Sequence, residues 1–458
     1  MSLKNLPKID MLLESEKIRE ISEEIPYNRI LLSIREVIET KRNELLKTKA
    51  ECTKEELFFE IEKSVINILK KYDAKGLKEV INGTGILVHT NLGRSVLKSD
   101  VGQKISELSS TYTNLEYDIE SGKRGKRLAY VEQLLCDITG CESAMIVNNN
   151  ASSVYLILKA LAKDKEVVLS RGELVEIGGS FRVSEIIREA GCIVKEVGTT
   201  NKTKLKDYKL ATTENTSMYL KVHTSNFKII GFTESVAPKE LLDLRDDMQK
   251  YVIVVEDMGS GLLTDISKYG VPYERTVFDA IKDDVDIVCF SGDKLLSGSQ
   301  AGIILGKKHL IDKLKEHQLH RVLRVDKLCL IALIETLKHY VKEDRMKTLP
   351  LFEMASRSQT TLEHMGKSIV KEVKNHKVTC ELKECQGAFG GGSLPDEYFS
   401  SLGIFIKSDE LTPNRIESFL RNQERPIVSI IQKEYVIIVL TTIFEKDLAY
   451  ISKVINEI

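Results

Sequence analysis

Lys294 and Asp257 are the residues whose types and positions could together carry out covalent chemistry. Lys294 comes shortly after the apolar run 287–290, and the hydroxyl of Ser291 precedes it. Asp257 follows a second apolar run, 252–255. A lysine so placed suits imine formation with pyridoxal 5′-phosphate, and a carboxylate can hold the pyridine nitrogen protonated. If both runs are strands of one sheet, the two side chains meet at the same sheet edge.

The loop 148–153 is a third element that fits this chemistry. It follows the apolar run 144–147 and precedes a helical pattern of apolar residues. Backbone N–H groups at the start of such a helix bind a phosphate well. The candidate phosphate-binding residues are Asn149, Asn150, Ala151 and Ser152.

Each of these features also has an ordinary structural explanation. Lys294 could be a solvated loop lysine, and Asp257 could be a turn residue that caps its strand. The loop 148–153 could be a simple helix N-cap. The occurrence of all three in one chain favours the cofactor interpretation.

Length and composition limit the class of protein. The 458 residues are too many for one core and predict two or three domains. A formal net charge of −1 gives no overall attraction to nucleic acid or to a membrane. The eight cysteines are scattered without metal-ligand spacing, so we expect reduced thiols and no metal site. No signal peptide or membrane-length apolar run is seen, which predicts a cytoplasmic protein without membrane contact.

Three patterns of hydrophobicity follow one another along the chain. Residues 1–76 have helical periodicity, with Ile30 and Ile34 beginning one apolar stripe. Residues 77–340 alternate short apolar strands with helices, which is typical of a mostly parallel sheet in a large cofactor-binding domain. Residues 341–458 predict a small α+β domain with a hairpin. The predicted fold class is α/β, an aspartate-aminotransferase-like pyridoxal-phosphate-dependent transferase fold with a helical N-terminal domain.

The sequence resembles bacterial selenocysteine synthase, the L-seryl-tRNA(Sec) selenium transferase family, nearly from end to end. Family-like stretches occur in the family's order at 82–94, 114–118, 122–127, 147–151, 170–182, 222–227, 291–296 and 321–328. The resemblance implies that L-seryl-tRNA(Sec) is converted to L-selenocysteinyl-tRNA(Sec) through an aminoacrylyl intermediate bound to pyridoxal 5′-phosphate. It also implies selenophosphate as the selenium donor, and a homo-oligomer built from dimers, a decamer in the family.

The resemblance assigns further residues to the site. It gives Asp293 a part in the departure of water, and it assigns the selenium donor to Arg94, Arg321 and Arg324. Arg321 and Arg324 could instead be a solvated helix face. His223 and Asn226 close another strand, where they could meet the cofactor ring or serve structure alone.

Recognition of tRNA must rely on local features, since the whole chain is nearly neutral. The resemblance gives residues 1–76 the task of recognising the shape of the tRNA. The densest basic cluster could hold phosphate backbone near the active site or be a solvated loop, and it comprises Lys123, Arg124, Lys126 and Arg127.

The chain departs from the family pattern at several positions. Ser297 and Ser299 replace a glycine and a proline after Lys294, and two arginines usual in the tail are replaced within 429–430 and 440–442. These changes leave open a diverged lyase acting on a free small amino acid or amino sugar acid. A non-catalytic tRNA-binding scaffold is a third hypothesis, which retention of Lys294 and Asp257 disfavours.

Overall fold

The computed structural model describes residues 2–21, 23–73, 76–177, 181–224, 227–390, 392 and 394–458. These residues form two compact units, Met1–Val80 and Ile81–Ile458. Within the described ranges, no helix is both long enough and apolar enough to cross a membrane.

The first unit is helical because its apolar residues recur at helical spacing. Its helices are α1 (Ile9–Leu13), α2 (Glu16–Ile21), α3 (Tyr27–Thr48) and α4 (Lys54–Asp73). The predicted stripe of α3 is buried, and α4 buries Leu57, Ile61, Val65 and Leu69 at every fourth position. The two stripes pack together with Leu12 and Ile18 in one core.

The second unit contains two main sheets and their covering helices. Its strands are β1 (Ile81–Asn82), β2 (Ile86–Val88), β3 (Tyr117–Asp118), β4 (Lys123–Arg124), β5 (Ser143–Val147), β6 (Glu166–Ser170), β7 (Glu176–Ile177), β8 (Phe181–Arg182), β9 (Ile193–Val197), β10 (Thr216–Val222), β11 (Ile253–Gly259), β12 (Ile287–Ser291), β13 (Gly302–Gly306), β14 (Thr379–Gly390), β15 (Phe399–Lys407), β16 (Ile427–Val428), β17 (Ile430–Gln432) and β18 (Tyr435–Val439). Its helices are α5 (Ser99–Ser109), α6 (Ala129–Thr139), α7 (Asn150–Leu161), α8 (Val183–Glu189), α9 (Leu205–Ala211), α10 (Pro238–Asp247), α11 (Val277–Lys282), α12 (Lys308–Glu316), α13 (Leu319–Val322), α14 (Lys327–His339), α15 (Glu343–Met346), α16 (Pro350–Ala355), α17 (Gln359–Glu372), α18 (Pro413–Arg421) and α19 (Leu448–Asn456).

The larger sheet has seven strands in the order β5-β13-β12-β11-β10-β6-β9. All neighbours are parallel except β13, which runs antiparallel to β12 and to β5. Both faces are covered, since alternate residues of β10 and β11 enter two different cores. The mostly parallel sheet confirms the predicted α/β class.

The smaller sheet has the order β17-β18-β15-β14-β2. Its long pair, β14 and β15, is antiparallel, as are β17 and β18, which form the predicted hairpin. The segment 81–88 contributes β2 to this sheet and pairs β1 with β16. Residues assigned by sequence to the large domain therefore complete the sheet of the tail, and the division at 76 and 340 stays a prediction.

Candidate active site

Lys294 lies just beyond the end of β12, where the chain turns back toward β13. The side chain is half-buried, and burial lowers the pKa of Lys294, while the negative charge of Asp257 acts in the opposite direction. A lysine with a lowered pKa has more of the neutral amine at physiological pH, and the neutral amine is the nucleophile. Ser291, at the end of β12, is 6% exposed and pairs in register with Gly302 of β13.

Asp257 lies on β11, the neighbour of β12, with its backbone opposite Cys289. The residue is only 4% exposed, and burial raises the pKa of its carboxyl group. One oxygen, Oδ1, accepts hydrogen bonds from Nδ2 of Asn150 at 2.7 Å and from the backbone N–H of Gly259 at 3.0 Å. The structure thus brings Asp257 and Lys294 to one sheet edge, as their strand-end positions predict.

The N-terminus of α7 reaches the same edge through Asn150. Asn149 caps this helix, with its Oδ1 accepting a hydrogen bond from the N–H of Ser152 at 2.9 Å. The ordinary N-cap is therefore present, and it is compatible with phosphate binding at the same helix start. Asn150 and Ala151 stand at the positive end of a 12-residue helix that starts beside Asp257.

His223 follows β10, and its backbone N–H donates to the carbonyl of Asp257 at 2.9 Å. Burial lowers the pKa of the His223 imidazole, and the nearby charge of Lys294 lowers it further. The ring is therefore neutral at physiological pH. Asn226, predicted beside it, lies outside the described residues.

Several buried polar atoms at this edge have no hydrogen-bond partner among the described residues. They are Oδ1 of Asn150, Nδ1 of His223 and Oδ1 of Asp293. Buried polar groups are normally paired, so three such atoms around one lysine indicate room for a polar ligand. Together with the Asp257 carboxyl group and the start of α7, these groups fit pyridoxal 5′-phosphate.

Arg94 forms an ion pair with Asp293, the residue that precedes Lys294 in the chain. Its Nη1 is 2.6 Å from Oδ2 of Asp293. The backbone of Arg94 has a φ of 63°, which is strained for a residue with a side chain and is typical of functional positions. Ser95 donates through Oγ to the carbonyl of Lys294 at 2.5 Å. Sequence reasoning missed Ser95, although it directly follows Arg94.

Arg321 and Arg324 lie in a groove with residues of the basic cluster, and their grouping with Arg94 stays a prediction. They line a groove of about 610 Å³ together with Arg124, Lys126 and Arg127 from the basic cluster. Lys123 belongs to the exposed strand β4 and is not among the lining residues. The structure therefore joins two of the three arginines predicted for the selenium donor and three of the four basic residues predicted for tRNA backbone in one surface, which we call the Glu116 groove.

Glu116 is the central carboxylate of this groove and was missed from the sequence. It pairs at 3.3 Å with each of three guanidinium groups, those of Arg124, Arg127 and Arg324. The hydrogen bond from Arg127 is the main reason why the pKa of Glu116 is lowered. The groove adjoins the start of α7, because the N–H of Asn148 donates to the carbonyl of Leu323 at 2.8 Å.

The departures after Lys294 are accommodated locally. Ser297 is fully buried, with a φ of 59° in the left-handed region that favours glycine, and its N–H donates to the carbonyl of Lys294 at 2.9 Å. Ser299 donates through Oγ to the carbonyl of Cys329 at 2.7 Å. The loop therefore keeps its hydrogen bonds, at the cost of backbone strain at Ser297.

The tail positions that lack arginine have structural roles. Thr442 donates through Oγ1 to the carbonyl of Asn82 at 2.6 Å, and the hydroxyl of Thr441 is 2.5 Å from that of Ser401. Arg357 is also engaged structurally, since its Nη1 donates to the carbonyl of Ile443 at 2.6 Å. None of these three residues is placed as a clamp for a free carboxylate.

Comparison with known proteins identifies the family of this chain. Residues 80–444 match the L-seryl-tRNA selenium transferase family. The L-seryl-tRNA(Sec) selenium transferase of Clostridium botulinum (strain Loch Maree / Type A3) is 43% identical over 450 residues, covering 97% of this chain and 96% of that protein. The Clostridium perfringens (strain ATCC 13124) protein of the same name is 43% identical and covers 100% and 98%.

A solved structure confirms the fold. The structure of D-glucosaminate-6-phosphate ammonia-lyase superimposes with a TM-score of 0.59 at 19% identity, covering 84% of this chain and 97% of that one. Since residues 80–444 match this family and the two selenium transferases are 43% identical over nearly the full length, the chain belongs to the L-seryl-tRNA selenium transferase family of pyridoxal-phosphate-dependent enzymes.

Proposed function

We propose that this chain converts L-seryl-tRNA(Sec) to L-selenocysteinyl-tRNA(Sec), with selenophosphate as the selenium donor. The observation that carries the proposal is a half-buried Lys294 beside Asp257 in a chain that matches selenium transferases along its whole length. The structural hydrogen bonds of Thr441, Thr442 and Arg357 in the tail are consistent with a substrate whose carboxyl group is esterified.

Pyridoxal 5′-phosphate, when bound, supplies an electron sink for the electron pair released at Cα of the seryl group. Lys294, Asp257 and His223 would hold it, with the start of α7 toward its phosphate. The lowered pKa of Lys294 leaves its Nζ able to accept the Cα proton and later to return it. Asp257 has one oxygen fixed by Asn150 and Gly259, so the orientation of its carboxyl group is set before any ligand binds.

Anion binding is divided between two places in the chain. Arg94 lies at the reacting end, next to Asp293 and Lys294, where it would meet the small selenophosphate anion. The Glu116 groove provides guanidinium groups along a surface that adjoins α7, and this arrangement suits phosphate groups of the tRNA. Arg321 and Arg324 remain candidates for either anion.

Recognition and assembly complete the proposal. Residues 1–76 would recognise the tRNA by shape, in the cytoplasm, where aminoacylated tRNA is used. A homo-oligomer built from dimers is proposed from membership of the family, and exposed large side chains, including Tyr112 at 106%, Ile119 at 72% and Val322 at 74%, are available for contacts between subunits.

The test compares substrates under single-turnover conditions. The purified protein with pyridoxal 5′-phosphate is mixed with L-seryl-tRNA(Sec), with seryl-tRNA of the ordinary serine acceptor, or with free serine, each with and without selenophosphate. Mass spectrometry of the amino acid released by ester hydrolysis should show selenocysteine only with the first substrate and the donor.

Two outcomes contradict the proposal. Faster release of ammonia from free serine or an amino sugar acid than turnover of seryl-tRNA(Sec) would establish the diverged lyase. Binding of the tRNA without any turnover would establish the scaffold.

A further inference from the structure

Glu274 is a buried carboxyl group close to Lys294 that the mechanism above does not use. It lies between β11 and α11 and is 5% exposed. Its Oε1 accepts a hydrogen bond from Oγ of Ser260 at 2.8 Å, and the carbonyl of Ser260 accepts one from the N–H of Leu295 at 3.1 Å. Glu274 is thus tied, through one residue, to the turn that carries Lys294.

The second oxygen of Glu274 is available to a ligand. Oε2 is buried and makes no hydrogen bond of good geometry among the described residues, although the backbone N–H of Leu394 lies close to the carboxyl group. Glu274 and His223 both line a cavity of about 710 Å³, which is large enough for a small polar group and water. A buried carboxyl oxygen without a hydrogen bond of good geometry beside a cavity is an unusual feature that calls for a ligand.

Glu274 differs from most charged groups around the cavity because it has no ion-pair partner among the described residues, so it can give up a proton to a ligand in the cavity. In the described part of the chain, Glu274 has no ion-pair partner, whereas Asp293 is held by Arg94. Most other charged groups along the cavity are paired with each other: Lys221 with Glu173, Arg275 with Glu256, and Lys228 with Glu397. Of the remaining two, Glu234 pairs with Lys204, and the ammonium group of Lys202 lies over the ring of Phe232. The remaining titratable groups near it are Lys294, whose charge acts on Glu274, and the neutral His223.

Protonation of Glu274 is favoured by its surroundings. Burial raises the pKa of Glu274 to about 7, while the hydroxyl of Ser260, the backbone N–H of Leu394 and the charge of Lys294 act to lower it. A carboxyl group that titrates near the working pH can give a proton and recover it from water in the cavity.

We propose that Glu274 is a further catalytic residue, whose carboxyl group protonates the β-hydroxyl of the seryl group as water leaves. The inference rests on the proposed function above. The O–H bond of Glu274 breaks as a new O–H bond forms, and the Cβ–O bond breaks with its electron pair on oxygen. The electron pair left at Cα, after Lys294 takes the Cα proton, forms the second Cα–Cβ bond, so protons and electrons balance.

The decisive test varies the leaving group. Elimination is measured in single turnover from L-seryl-tRNA(Sec) and from 3-chloroalanyl-tRNA(Sec), whose chloride leaves without a proton. Glu274→Gln should slow the seryl substrate by at least about 100-fold and the chloro substrate by less than about threefold. The matched control, Glu397→Gln, removes a carboxylate of the same cavity and should leave both rates within about twofold.

The outcomes separate this inference from the proposed function. An equal loss on both substrates in Glu274→Gln, or selective rescue by chloride in Asp293→Asn instead, overturns the role of Glu274. Inactivity of the wild-type protein on both substrates overturns the proposed function itself, and this step with it.

A second variant and a spectroscopic measurement keep the inference testable if Glu274→Gln folds poorly. Ser260→Ala retains the carboxyl group but removes the hydrogen bond that lowers its pKa, so the high-pH fall of the elimination rate should move to higher pH. Infrared difference spectra of the cofactor-free protein should show a carboxylic acid band that disappears as pH rises through about 7. The proposal is contradicted if the high-pH fall of the rate does not move in Ser260→Ala, or if the carboxylic acid band of the wild type does not titrate.

Discussion

The Lys294 site and the Glu116 groove differ in how deeply their polar groups are buried and in whether these groups have partners. At the Lys294 site, buried atoms of Asn150, His223 and Asp293 lack partners, and burial shifts the pKa values of the ionisable groups. In the Glu116 groove, one half-exposed carboxylate pairs with three guanidinium groups. The difference shows that the first site is tuned by desolvation, which salt barely affects, whereas the second works by surface charge, which salt screens.

Removing Lys294 should have the largest effect on the buried side of this comparison. Lys294→Ala deletes the only group placed to attach the cofactor covalently in the described structure, so the absorption band of the attached cofactor should vanish and turnover fall by at least about 10³-fold. Absorption spectra and single-turnover rates at low and high salt measure both effects. Lys453→Ala, an exposed lysine of α19, is the control, and retention of the band in Lys294→Ala would refute the assignment.

Burial of Glu274 should appear as a pH-dependent cost in stability. Because the folded-state pKa of about 7 exceeds the ordinary value of 4.5, the unfolded chain ionises first, and stability is lost as pH rises from 4.5 through about 7. Glu274→Gln has no such loss. The difference in free energy of unfolding between Glu274→Gln and the wild type should therefore shift in favour of the variant by up to about 3 kcal/mol between pH 4.5 and pH 8.

Urea unfolding of the cofactor-free protein at the two pH values measures this difference. Glu397→Gln should show little of it, since the side chain of Glu397 is 25% exposed and ion-paired with Lys228. A pH-independent difference between Glu274→Gln and the wild type would mean that Glu274 does not titrate in this range.

Substitutions at Ser297 test whether its left-handed backbone conformation strains the loop after Lys294. Ser297→Gly should increase the free energy of unfolding by about 1 kcal/mol, because glycine accepts a φ of 59° and the unpartnered buried hydroxyl is lost. Ser297→Ala removes the hydroxyl but keeps the strained Cβ, so it separates the two causes. Denaturant midpoints measure the stability of both variants. A Ser297→Gly variant less stable than the wild type would contradict the assignment of backbone strain to Ser297.

Glu116 should give the smallest effect and the one most sensitive to salt. Glu116→Gln frees three arginines for an anionic ligand, so affinity for L-seryl-tRNA(Sec) should rise by about two- to fivefold at low salt, in line with exposed pairs worth less than about 1 kcal/mol. Fluorescence anisotropy at low and high salt measures it. Glu120→Gln, on the same exposed hairpin, is the control, and a gain that persists at high salt would contradict the role given to surface charge.

Much of the fold could be predicted from the sequence. The apolar stripe of α3 and the strands β10, β11 and β12 follow from periodicity and from short apolar runs. The predicted association of Asp257 with Lys294 follows from strand order, since residues at the same ends of neighbouring strands meet at one edge. The assignment of residues 81–88 to the large domain could not anticipate that β2 joins the sheet of the tail.

The site itself is less predictable where loops supply its residues. Ser95 and Lys294 are 199 positions apart, and Glu116 and Arg324 are 208 apart. No periodicity relates such pairs, and Glu274 shows in the sequence only as one acidic residue among 68. The grouping of Arg94 with Arg321 and Arg324 stays a prediction, and only the tertiary structure shows that Arg94 forms an ion pair with Asp293.

The sequence by itself determined the helices and the strands and singled out Lys294 as the candidate reacting lysine, because hydrophobic periodicity and local residue types act over short distances along the chain. Only the tertiary structure decided which carboxyl groups are buried without a counterion and which arginines share a groove. Desolvation and charge pairing depend on distances in space, and these are fixed only when segments far apart in the chain pack together.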